Sequence, residues 1–211
     1  MFTKTQQSGE HRPRRGRPED TRARLIRGAA ETFNTFGYAG TDVRRIVAAA
    51  GYATGTFYKH FADKGVALLA AYDGWIVAEW EALGTAILSS GTPRERAERI
   101  VDTSIDLHAR WHGLRQAMQS YMLINNAAAQ TYRELQRRQI VILGELRTEI
   151  SPDTSRPPEA DVLLVMLIER AVEGIAVGEP GALGLDEATM RRLLVDMVAD
   201  ALSGTPLSNP T

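Results

Sequence analysis

The 211-residue chain is 44% hydrophobic, enough to bury a sizeable core. Its longest apolar run, Val162–Ile168, is far shorter than the roughly 20 residues that span a bilayer, so neither a membrane span nor a signal peptide is expected. The absence of cysteine excludes disulfides, thiolate metal sites and a Cys nucleophile, and agrees with the reducing cytoplasm as the expected location.

The net charge of −1 conceals a division. Residues 1–66 carry 12 Lys and Arg against 6 Asp and Glu, whereas residues 67–211 carry 13 against 20. A basic front on an acidic body suits a protein that neutralises phosphates at one end and is repelled from the duplex elsewhere. Residues 1–18 are polar, aperiodic and rich in Arg, Gly and Pro, and read as a disordered basic arm. Within it, Arg15-Gly-Arg17-Pro18 resembles an AT-hook, whose arginines lie in a narrow A·T minor groove. A solvated basic tail that adds only nonspecific attraction is the alternative.

Asp20 is placed to cap a first helix, in which Leu25, Ala29, Phe33 and Phe36 follow helical spacing up to Gly37. In the next segment Val43, Ile46, Val47 and Ala50 form one apolar face. Thr41 offers the capping oxygen and Gly51 the left-handed stop. A third helix must begin within three residues. Phe57 and Phe61 turn inward at i, i+4, leaving Thr54, Gly55, Tyr58 and Lys59 on a side with nothing apolar to bury. Two short helices joined by a tight turn in this way read as a DNA-binding helix-turn-helix over residues 19–66.

The run Thr41 to Lys64, with its Ile-Val-Ala-Ala-Ala-Gly core and Gly-Thr-Phe-Tyr-Lys-His-Phe motif, resembles the DNA-binding domain of the TetR family of bacterial transcriptional regulators. Ala53 departs from the family's usual Ser and is a poor cap, costing about 1 kcal/mol. Thr54 is the alternative cap, which would start the reading helix one residue later. Thr41, Thr56, Tyr58, His60 and Lys64 are expected on phosphates, since they lie at helix starts or on the reading helix's flank. Tyr52, Thr54, Gly55 and Lys59 are expected on base edges, and Arg44 or Arg45 on phosphates from the second helix.

Asp63 caps a helix from about 64 to 88, whose N-terminus together with Lys64 would favour a phosphate. Helical patterns follow at about 94–110, 112–124, 127–150, 159–177 and 186–203, with a Pro-rich loop at 151–158 and no strand pattern. The fold class is therefore all-α, with about nine helices, and residues 67–211 form the larger helical part.

The resemblance implies that this part encloses an effector pocket and forms a homodimer. Candidate pocket residues are Trp75, His108, Trp111, Met118, Tyr121, Met122, Asn125 and Tyr132, an apolar and aromatic set with a few polar groups; each alone also serves as ordinary core packing. Val162, Met166, Met190, Leu193, Leu194, Met197, Val198 and Ala201 make apolar stripes on the last two helices, which in the family pair with their copies as a four-helix bundle. His108 and His112 stand at i, i+4, a two-histidine metal spacing, but lack the accompanying Glu, and any third ligand such as Asp73 or Asp102 lies far along the chain. Packing or pocket polarity is the preferred reading, with neither metal nor cofactor.

No catalytic constellation is present in the sequence. The expected function is a repressor released from a palindromic operator by an apolar or aromatic effector. An activator of the same fold, an architectural DNA-binding protein and a helical enzyme or carrier are the alternatives.

Overall fold

The computed structural model describes residues 17–150 and 157–203. Nine helices run in order among them: α1 (Pro18–Gly40), α2 (Val43–Ala50), α3 (Thr54–Phe57), α4 (Lys64–Ile87), α5 (Pro93–Ile124), α6 (Asn126–Ile150), α7 (Pro158–Ala176), α8 (Glu179–Ala182) and α9 (Glu187–Leu202). Arg15 and most of the basic arm lie outside the described residues.

The apolar spacing of α1 and α2 makes the first core. Leu25, Ala29 and Phe33 pack with Ile46, Val47, Phe57 and Phe61, and this buried cluster continues through Leu68, Trp75 and Met118 as far as Leu135. Phe36, expected on the same face, is 47% exposed and lies under the Arg45 guanidinium, 4.3 Å from the ring centre. Three caps differ from expectation. Asp20 lies inside the first turn of α1, which begins at Pro18 with no side-chain cap. The α2 cap is Asp42, whose Oδ1 accepts from Arg45 N at 2.8 Å. Thr54 does not cap α3, because Ala53 occupies that position and offers no oxygen. Gly51 ends α2 at φ 74°, as a left-handed stop requires.

The expected break near residue 111 is a kink within one helix. Trp111 takes non-helical angles (φ −113°, ψ 20°), and the backbone groups left loose there bond to a side chain of α1. Asn34 Nδ2 donates to Arg110 O at 2.9 Å, and Leu114 N donates to Asn34 Oδ1 at 3.0 Å. Gly113 lets the helices meet, since a Cβ there would collide with the Asn34 carbonyl. One asparagine thus stands in for a missing helical hydrogen bond, Leu114 N to Arg110 O, and ties the N-terminal helices to the body.

At the far end a second core joins Val101 of α5, Val172 and Ile175 of α7, and Leu194, Val195 and Val198 of α9. A capping box starts α5: Glu95 N donates to Thr92 Oγ1 at 3.2 Å, and Thr92 N donates to Glu95 Oε2 at 2.8 Å. The short α8 was not expected, since four residues carry too little periodicity to register. Among the described helices, none is long and apolar enough to cross a membrane.

Candidate nucleic-acid interface

Helix α3 stands on two buried aromatic rings, Phe57 and Phe61, whose centroids are 5.4 Å apart. This footing turns Thr54, Gly55, Tyr58 and Lys59 outward, and all four are exposed. Tyr52, Thr56 and His60 are half-buried beside them, while Arg44 and Arg45 are exposed on α2. Arg17 is exposed where α1 begins. The surface therefore gathers basic and hydroxyl side chains around one short helix, with a glycine that permits close backbone approach.

Two residues expected on phosphates face inward instead. Thr41 is only 1% exposed, and its hydroxyl donates to Gly37 O at 2.7 Å, so it reaches no phosphate. Lys64 is half-buried; its ammonium donates to Tyr38 O and Thr41 O, each at 2.8 Å, and lies 4.4 Å from the centre of the Tyr38 ring. Lys64 fastens the end of α1 and the start of α2 to α4. The α4 N-terminus is itself occupied by the Asp63 carboxylate, which accepts from Val66 N at 2.9 Å and repels a second anion.

The expected effector residues divide between two places. Tyr121 stacks on Tyr38 at 4.5 Å, and its hydroxyl accepts from Asn125 Nδ2 at 2.9 Å, so both belong to the junction with α1 rather than to a pocket. Met118 is fully buried in the first core, against which Trp111 and Met122 pack half-buried. Trp75 of the same core, Tyr132 packed against it and His108 border a buried polar cluster on α4, α5, α6 and α7.

In that cluster His108 Nε2 lies 3.2 Å from Glu79 Oε1, and the Arg115 guanidinium lies 5.4 Å from the centre of the Trp75 ring and 3.8 Å from Glu173. Burial works against the Arg115 charge, but Tyr72, Glu79, Glu169 and Glu173 around it outweigh that effect and raise its pKa. Burial pushes the Glu169 carboxyl up, against the pull of Arg115, and pushes the Tyr72 hydroxyl up further still. Glu79, Arg115, Glu169 and Glu173 escaped sequence reading because a lone charge on a helix usually marks a solvated face. The available signal was Glu169 and Glu173 at i, i+4 continuing an otherwise apolar α7. The carboxylates considered as third metal ligands are engaged elsewhere, Asp73 with Arg138 and Asp102 with Arg191.

The expected dimer stripe also divides. Leu194 and Val198 are buried in the protomer's own core, because α9 packs them onto α5 and α7. Met190 packs half-buried against the same core, and Val162 and Ala201 are half-buried. Met166 at 62%, Leu193 at 59% and Met197 at 36% exposure remain outward.

Among known proteins, no curated sequence matches the chain. Solved structures share its fold. A TetR-family transcriptional regulator from Streptomyces coelicolor superimposes with a TM-score of 0.62 at 21% identity, covering 89% of this chain and 90% of that one. The regulator FadR from Bacillus subtilis, solved with stearoyl-CoA, gives 0.62 at 19% identity over 84% and 97%. The fatty acid degradation regulator FadR from Bacillus halodurans gives 0.63 at 16% over 85% and 94%. Residues 25–71 match the family model described as bacterial regulatory proteins, tetR family. Residues 25–71, which hold the helix-turn-helix, are thus similar to that family's model, and the helices that follow share the fold of these solved structures.

Proposed function

We propose that the protein is a dimeric DNA-binding transcription regulator, a repressor that leaves its palindromic operator when a small apolar or aromatic molecule enters the helical body. The observation that carries this reading is the outward face of α3, where Thr54, Gly55, Tyr58 and Lys59 stand exposed over the buried Phe57 and Phe61. Apolar side chains would be left stranded in water on such a face, whereas these groups suit base edges and phosphates. Arg44 and Arg45 flank it as phosphate contacts, and Arg17 is exposed where α1 begins. Dimerisation is supported by the outward Met166, Leu193 and Met197, and effector binding by the polar cluster buried in the body. That FadR from Bacillus subtilis was solved with stearoyl-CoA, whose acyl chain is apolar, supports a body of this shape holding a small-molecule effector.

The test is a binding series on an operator selected from random duplexes. Lys59→Ala or Thr54→Ala relaxes base preference at one position by about 1–3 kcal/mol, whereas Arg44→Ala weakens all sequences alike and lowers the salt slope by about 1. Wild-type affinity and base preference in all three variants would refute the interface.

A further inference from the structure

Helix α5 belongs to two cores, and its kink lies between them. Before Trp111, Ala97, Ile100 and Val101 pack in the far core with α7 and α9; after it, Leu114, Ala117, Met118 and Tyr121 pack in the core that also holds α1, α2 and α3. Helix α4 crosses both cores as well, but without a break. The outward apolar residues Met166, Leu193 and Met197 ride on α7 and α9. With α4 as an unbroken rod, the bend of α5 at Trp111 sets how the head that carries α3 tilts from that outer face.

A side chain of the head sits in the bend. In an unbroken helix Leu114 N would bond Arg110 O. Asn34 of α1 takes both groups instead: its Nδ2 donates to Arg110 O at 2.9 Å, and its Oδ1 accepts from Leu114 N at 3.0 Å. Gly113 admits the α1 backbone, since a Cβ there would stand 1.9 Å from the Asn34 carbonyl oxygen. Asn34 is not what attaches the head. Leu114 and Met118 are fully buried in the shared core, Tyr38 stacks on Tyr121 at 4.5 Å, and Lys64 ties Tyr38 O and Thr41 O to α4. Those contacts lie beyond the kink or on α4, so they hold the head whatever the bend.

The bend therefore has two hydrogen-bonded arrangements. With Asn34 inserted, both backbone groups bond its amide; with Asn34 withdrawn, they bond each other and α5 straightens. The lever is long enough to matter for a duplex. From Trp111 to Tyr121 a helix rises about 15 Å, so a change of about 20° in the kink swings its far end by about 5 Å. One base-pair step is about 3.4 Å.

We propose that Asn34 is a positioning residue that sets the separation of the two α3 helices in the dimer and so selects the half-site spacing of the operator. The proposal rests on the dimeric DNA-binding reading above and adds what fixes the spacing. The chain has no cysteine, so Ala62→Cys on the exposed turn between α3 and α4 places one spin label on each head. Pulsed electron paramagnetic resonance on the full-length protein without DNA is expected to give one narrow intermolecular distance while Asn34 is in place. In Asn34→Ala and Asn34→Leu that distance shifts by about 5 Å or more, or broadens. Leucine is close to asparagine in size and keeps the site filled if the alanine variant folds poorly; circular dichroism checks both.

Unlabelled protein is then selected against duplexes whose two half-sites are separated by every spacer up to one helical turn. Both variants are expected to keep the wild-type half-site sequence and to lose the preference for one spacer. A lower melting temperature with unchanged label distance and unchanged spacer preference means that Asn34 only stabilises the fold, and overturns the proposal. A labelled protein that reports no intermolecular distance overturns the dimer reading and the spacing role with it, and a wild type that enriches no half-site overturns the DNA reading. An intact dimer whose distance is the same in all three forms overturns the spacing role alone.

Discussion

Asn34 carries more of the architecture than its polar, half-buried character suggests. Asn34→Ala leaves Arg110 O and Leu114 N at the α5 kink without their partner, and is expected to lower stability by about 1–3 kcal/mol in urea unfolding. Gly113→Ala, which drives a methyl into the Asn34 carbonyl, should cost at least as much. If both variants unfold at wild-type urea, the kink is not held in this way. Glu169 makes a prediction in the other direction. Burial raises its folded-state pKa, so its ionised form is disfavoured by folding; the penalty is absent below the ordinary glutamate range and present at neutral pH. Glu169→Gln should therefore melt higher than wild type at pH 7 and lose that advantage as the pH falls toward 4. Neither residue was legible in the sequence, because their roles depend on partners 76 to 80 positions away or on three other helices. Phe57 and Phe61 were legible because their spacing alone settles which way they face.

Among the helices, those with strong periodicity and capping chemistry could be read directly. Gly51 and Asp63 fulfilled their expected roles at the end of α2 and the start of α4. At the start of α2, two adjacent capping residues competed. Asp42 took the cap because Thr41 was drawn into the core to bond Gly37 O, a choice made by tertiary packing. Helix α3 remains without a side-chain cap at Ala53, and its four residues are too short to be stable alone. Ala53→Ser restores an acceptor for the free N–H groups and should stabilise the protein by about 1 kcal/mol, read as a shift in the thermal midpoint. An unchanged or lower midpoint would mean that the turn geometry forbids the cap. On α7 and α9 the apolar stripe was visible in the sequence, but its division between protomer core and outer face was not. Adjacent Leu193 and Leu194 are equally apolar, and only the placement of α9 on α5 and α7 separates them.

At the scale of the molecule, that division sharpens the dimer expectation. Leu193→Glu places a charge on the outward face and should yield folded monomers in sedimentation at micromolar concentration, while Leu194→Glu buries an unpaired charge and should unfold the body. A wild-type protein that sediments as a monomer would refute the dimer. The opposite charges of the two parts of the chain orient the basic end toward a duplex, and a two-fold pair of such ends calls for two half-sites. The central claim, that paired α3 helices read DNA sequence, is tested most directly by sequencing duplexes retained by the full-length protein from a randomised pool at physiological salt. Paired reading helices enrich an inverted repeat whose half-sites lie on one face of the duplex, about one helical turn or a multiple apart. Recovery of A·T-rich duplexes without a dyad, or no enrichment at all, would contradict it.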